Sequence, residues 1–104
     1  MPTAMLSAHF ALAEFACKCG RWPACTITRP AAALVAALEA ARAKHYPRGL
    51  VLLSGVRCVT HNKDVKGAPG SQHVKGRAVD FRDPTMTIKQ AISCGFKGVG
   101  VVKI

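Results

Sequence analysis

Acidic residues are scarce in this sequence: five Asp and Glu stand against fifteen Lys and Arg, for a formal net charge of +10. Ordinary small domains carry roughly 2–8 charges. An excess this large predicts attraction to polyanions, either nucleic acid or the phosphate polymers of a cell envelope. Aromatics are also few, with four Phe, one Trp and one Tyr, so Ala, Val, Leu and Ile must supply most of the core. Long hydrophobic runs are missing. No stretch approaches the roughly 20 apolar residues of a membrane span. Met1 to Phe15 lacks the basic start of a secretion signal, and His9 and Glu14 interrupt it. The expectation is a chain made as a soluble protein. Chemistry-bearing side chains also run out early. After Asp83 there is no His, Asp, Glu or Tyr, and Cys94 is the only other common metal ligand.

What is present suits one small domain. The 104 residues leave no room for a second, and half of them are hydrophobic, enough to fold. The positive charges are spread along the chain, from Lys18 to Lys103. No zinc-finger spacing, aromatic-and-basic strand motif or leucine heptad accompanies them. A generally cationic surface is therefore expected, without specific nucleic-acid recognition.

The five cysteines, Cys17, Cys19, Cys25, Cys58 and Cys94, are an odd number. Without an export signal, a complete disulfide framework is not expected. Two readings stay open. Cys17, Cys19 and Cys25 are three ligands of a small structural zinc site, with Cys58 or His61 as the fourth; or one disulfide forms and the remaining thiols are small buried hydrophobes. The spacing matches no common zinc module and Trp22-Pro23 lies inside it, which favours the second reading.

Phe10, Leu12 and Phe15 recur at near-helical spacing after Ser7, predicting a short helix or turn capped by Ser7. Lys18 to Thr28, with Gly20 and Pro23, reads as an irregular loop. Thr28-Arg29-Pro30 predicts a helix start with Thr28 as the cap. Ala31 to Lys44 follows, with Leu34, Val35, Leu38 and Ala41 on one stripe, and Tyr46-Pro47-Arg48-Gly49 ends it. Leu50 to Leu53 reads as a buried strand, and Val56 to Gly70 as a polar loop. Arg77 to Arg82 alternates, with Val79 and Phe81 on one side and Ala78, Asp80 and Arg82 on the other. That predicts a strand with Asp80 facing a cleft. Asp83-Pro84-Thr85 opens a second helix to about Ser93, and Val99 to Ile104 is a last strand. The order predicts an α+β domain with a small antiparallel sheet and two main helices.

The segment Ser71-Gln72-His73-Val74-Lys75-Gly76-Arg77-Ala78-Val79-Asp80 sets an imidazole and a carboxylate seven positions apart. Gly76 permits a tight reversal between them. Both groups are zinc ligands by type, and catalytic zinc usually holds three protein ligands plus water. A lone His/Asp pair is also a common structural hydrogen-bonded pair. Arg57, Ser71 and Gln72 would lie nearby as polar groups for a substrate.

These residues resemble the zinc D-Ala-D-Ala carboxypeptidases and endopeptidases (peptidase family M fifteen), small phage and bacterial type. Ser71, His73, Gly76, Ala78 and Asp80 match the family's Ser-x-His-x-x-Gly-x-Ala-x-Asp. Upstream, His9-Phe10 with Glu14-Phe15 looks like its N-terminal segment. Ser54-Gly55-Val56-Arg57-Cys58 resembles its Ser-Gly-Tyr-Arg-Cys, with Val56 replacing the tyrosine. Asn62 and Gly67-Ala68 match the loop that follows, and Gly95 to Gly100 resembles its late glycine-rich stretch.

The resemblance implies a D-Ala-D-Ala metallopeptidase-like fold, a zinc cofactor and peptidoglycan stem peptides as substrate. His73 and Asp80 would be zinc ligands, Arg57 would steady the substrate or the developing oxyanion, and Ser71 and Gln72 would line the cleft. The family's third ligand is a later histidine near an acidic base, and no position here matches either. The expectation is a truncated peptidase-like domain that binds zinc weakly and catalyses poorly alone, unless a partner chain supplies the missing ligand. The alternative is a catalytically degenerate structural or wall-binding protein of a phage particle, in capsid or tail. Expected partners are stem peptide, anionic wall polymer, or other phage structural proteins.

Overall fold

The computed structural model describes residues 4–26, 28–81 and 86–96. In chain order these form a 3₁₀ turn (Leu12–Phe15), α1 (Ala32–His45), β1 (Leu52–Ser54), α2 (Val59–Asp64), β2 (Asp80–Phe81) and α3 (Ile88–Ser93). β1 and β2 pair antiparallel, with Leu52 opposite Phe81 and Ser54 opposite Asp80 across an irregular register. The arrangement is α+β, as the alternation of patterns predicts.

α1 carries the core. Its apolar stripe buries Val35, Leu38 and Ala41, with Leu34 half-buried against the same cluster. Phe10 and Phe15 of the N-terminal turn meet edge to face in that cluster, centroids 6.3 Å apart. Complete burial of Leu38 and Phe15 stabilises by roughly 1.5–3 kcal/mol each. From the sheet side, Val79 and Phe81 pack inward on the parity their alternation predicts, and Phe81 meets Tyr46 edge to face at 5.9 Å.

Several expectations are corrected. Ser7 does not cap the first turn. Glu14 closes it instead, its Oε2 accepting from the N–H of Ala11 at 2.7 Å. α1 starts after Ala31 rather than Thr28, whose hydroxyl accepts instead from the Thr26 hydroxyl at 3.1 Å. The run at 50–53 is not buried throughout. Leu50 is buried, but Val51 and Leu53 are 55% and 46% exposed, since the described sheet covers only one face of β1. The stretch 56–70 is not all loop, for it contains α2. Its cap is the Cys58 sulfur, which accepts from the His61 N–H at 3.3 Å. α3 begins after Thr87, whose hydroxyl accepts from the Gln90 N–H while the Gln90 side chain accepts from the Thr87 N–H. Arg82, the predicted opening at Asp83 to Thr85, and the predicted strand from Val99 to Ile104 lie outside the described residues. The expected disulfide is not found. All five cysteines are free thiols, with Cys94 buried in the core cluster as a small hydrophobe.

The N-terminal segment is pinned to α1 by contacts between His9 and Glu39. Glu39 accepts from the His9 backbone N–H at 2.8 Å and sits 2.7 Å from its ring Nδ1. The neighbouring Ser7 hydroxyl, then these His9 contacts, hold the Glu39 carboxyl down at about 2, against an ordinary value of 4.5. No hydrogen bond of ordinary geometry joins Ser7 Oγ to it, so the His9 bonds are the firmer cause. A carboxyl depressed on folding contributes stability that is complete above its unfolded value and fades as pH falls through the folded one. Stability should therefore decline between about pH 4.5 and about pH 2. Glu39→Gln should lower the neutral-pH Tm by about 2–5 °C and flatten that decline, as read by circular-dichroism melts across pH.

Candidate functional site

The segment Ser54–Cys58 leaves β1 and runs through the middle of the fold. Gly55 must be glycine, because a side chain there would stand 2.6 Å from the Phe15 Cα. This close approach lets the Val56 N–H donate to the Phe15 carbonyl at 2.8 Å. The Gly55 carbonyl is thereby left facing the loop that carries His73.

That loop is a tight reversal. Ser71 opens it, its hydroxyl accepting from the His73 N–H at 3.3 Å. Gly76 turns it with a φ of +71°, and a side chain there would collide with the Arg29 carbonyl. The Gly76 carbonyl accepts from the Ala31 N–H at 2.8 Å, which docks the turn onto the start of α1. The loop is tied to the strand segment by the Arg57 N–H, which donates to the His73 carbonyl at 3.1 Å.

His73 and Asp80 are brought together. The His73 ring is nearly buried and Asp80 is half exposed, with Nε2 and Oδ2 3.5 Å apart. Nδ1 lies 2.8 Å from the Gly55 carbonyl. A carbonyl only accepts, so Nδ1 carries the proton and donates. In the neutral ring Nε2 is then a lone pair aimed at the Asp80 side. A ring nitrogen fixed by a backbone carbonyl, with the other nitrogen free, is the arrangement of a metal-ligating histidine. The 3.5 Å spacing also resembles the roughly 3.3 Å between N and O ligands on one tetrahedral zinc.

Arg57 is close in the chain and fixed in place. Its Nη1 donates to Asn62 Oδ1 at 3.0 Å. Asn62 is buried, and its amide donates in turn to the Ala68 carbonyl at 3.0 Å. Asn62 therefore aims the guanidinium while organising the 62–68 loop, a positioning role that the sequence signalled only as a match to a family loop. Gln72 is exposed at the rim, and Ser71 is bonded within the loop. His9 is engaged with Glu39 and not with this pair. Among the described residues no third His, Cys, Asp or Glu joins the His73/Asp80 pair. Such side chains do converge elsewhere, at Cys17, Cys19, Cys25 and Cys58.

The family model described as Peptidase M15 matches residues 8–103, almost the whole chain. No curated protein and no solved structure gives a significant match.

Removing the Asn62 side chain breaks its bond to the Ala68 carbonyl and frees the arginine. Asn62→Ala should cost about 1–3 kcal/mol in urea unfolding. Gly55→Ala should cost a similar amount through overpacking. It should also disturb the His73 tautomer, which long-range nitrogen–proton NMR of the wild type should show as Nδ1–H in the neutral ring.

Proposed function

The chain belongs to the Peptidase M15 family, and on that footing we propose that it is a peptidoglycan peptidase-like domain of the zinc D-Ala-D-Ala carboxypeptidase or endopeptidase type. The family is zinc-dependent in general, and its chemistry is hydrolysis of peptides. The observation that carries the reading is His73: its Nδ1 is committed to the Gly55 carbonyl, and its Nε2 faces Asp80.

His73 and Asp80 are the residues that would hold zinc, one imidazole and one carboxylate, a donor set that suits the metal. When bound, zinc supplies a Lewis acid for the scissile carbonyl and for attacking water. Arg57, with one nitrogen anchored on Asn62, keeps further N–H donors for a peptide carbonyl as negative charge builds on its oxygen. The Ser71 hydroxyl accepts from the His73 amide, so its own O–H is free to donate to substrate, and Gln72 stands beside it at the rim. The charge of +10 draws the protein to an anionic wall. With two protein ligands, zinc affinity and turnover are expected to be low.

Stem pentapeptide and purified wall sacculi, incubated with protein and zinc and read by mass spectrometry, test this. The expected result is slow zinc-dependent cleavage of the peptide, lost in His73→Ala and reduced roughly 100- to 1,000-fold in Arg57→Ala. Retention on sacculi without cleavage would favour the alternative, a catalytically degenerate wall-binding or virion-structural protein. Neither cleavage nor retention would sink both readings. Turnover at about 1–1,000 s⁻¹, the range of ordinary enzymes, would overturn the two-ligand site.

A further inference from the structure

Residues 16–31 connect the 3₁₀ turn to α1, and within the described part of this stretch there is no helix or strand. A connection this long needs something else to hold it in a small fold. Apolar packing is confined mainly to Trp22, half-buried against the core cluster, while Arg21, Pro23 and Ala24 are exposed. Three of its cysteines nevertheless point to one place, and a fourth arrives there from the far side of the fold.

We propose that Cys17, Cys19, Cys25 and Cys58 form a second metal site, a structural zinc tetrathiolate that ties the 17–25 loop to the start of α2. Their four sulfurs lie within 4.8 Å of one another. Zinc bound to four sulfurs at about 2.3 Å places them about 3.8 Å apart, so closure requires a shift of only about 1 Å. No two of them are joined as a disulfide, in which the sulfurs would stand about 2.05 Å apart. Sulfur-only tetrahedral sets select zinc or iron, and zinc needs no redox partner. Cys58, and not His61, completes the set.

Backbone amides are already aimed at three of the sulfurs. The Cys58 N–H donates to Cys17 Sγ at 3.3 Å, Arg21 N–H to Cys19 Sγ at 3.4 Å, and His61 N–H to Cys58 Sγ at 3.3 Å. Such bonds favour thiolate over thiol. Cys17 and Cys58 are buried and the other two are half-buried, which suits a closed structural site more than one open to substrate.

The position of Cys58 gives the site a consequence. It follows Arg57 directly and caps α2, the helix that carries Asn62. Metal at the quartet would therefore brace the arm that aims Arg57, without belonging to the His73/Asp80 pair.

Cobalt substitution of the 104-residue chain, purified under reducing conditions, provides the test. We expect one cobalt per chain held by thiolates, with sulfur-to-metal charge transfer in the near ultraviolet and intense tetrahedral bands in the red. The signature should persist unchanged in His73→Ala and in Cys94→Ser, and be lost in Cys19→Ser/Cys25→Ser. Should that double variant fail to fold, the wild type still decides. Chelation should then expose four additional reactive thiols and red-shift the emission of Trp22, the single tryptophan, which lies between Cys19 and Cys25. Absence of charge transfer in reduced wild type would overturn the proposal. So would loss of the signature in His73→Ala, intact-mass evidence that the quartet is oxidised to disulfides, or iron in place of zinc in protein grown with both metals.

Discussion

The backbone of Gly55 is the constraint on which the rest depends. It lies so close to Phe15 that no side chain fits between them. From that contact outward, consecutive polar groups are committed in different directions. Val56 bonds the N-terminal turn, the Gly55 carbonyl holds the His73 ring, and Arg57 N–H holds the His73 carbonyl. Cys58 N–H reaches the Cys17 sulfur. A single extended strand end thus joins the aromatic turn, the histidine loop and the cysteine loop. Buried backbone groups must find partners, and here that requirement assembles three separate parts of the chain around one segment.

The parts of this arrangement that were legible in the sequence are those fixed by short-range periodicity. The α1 stripe of Val35, Leu38 and Ala41 is a helical pattern, and it is buried. Val79 and Phe81 alternate with Asp80, which fixes which of them reach the core and which faces outward. His73 and Asp80 meet because Gly76 reverses the chain between them. What escaped the sequence depends on partners distant along the chain or on unusual ones. α2 is too short to show a period, and its cap is a sulfur where Ser, Thr, Asp or Asn is the usual signal. Thr28 has the right chemistry for a cap but is taken by Thr26. Cys58 lies 41 residues from Cys17, so no local spacing could choose it over His61.

The positive charge and the polar site act at different ranges. Long-range attraction by a charge of +10 needs no geometry, and salt weakens it. The His73/Asp80 pair and the Arg57–Asn62 bond act only over short distances and depend on the fixed directions that Gly55 and Asn62 impose. Long-range charge and short-range geometry are therefore separable properties of this chain.

That separation bears on how such a chain drifts over generations. Arg57 and Cys58 are neighbours that face different ways, the Arg57 side chain bonding Asn62 and the Cys58 sulfur joining the cysteine cluster. A lineage released from catalysis would be free to vary Arg57 and His73 one residue at a time. Gly55 and Cys58 would stay under selection for folding alone. The expected fossil of a lost activity in this architecture is therefore a set of cysteines, and a glycine that outlasts the histidine whose ring it holds.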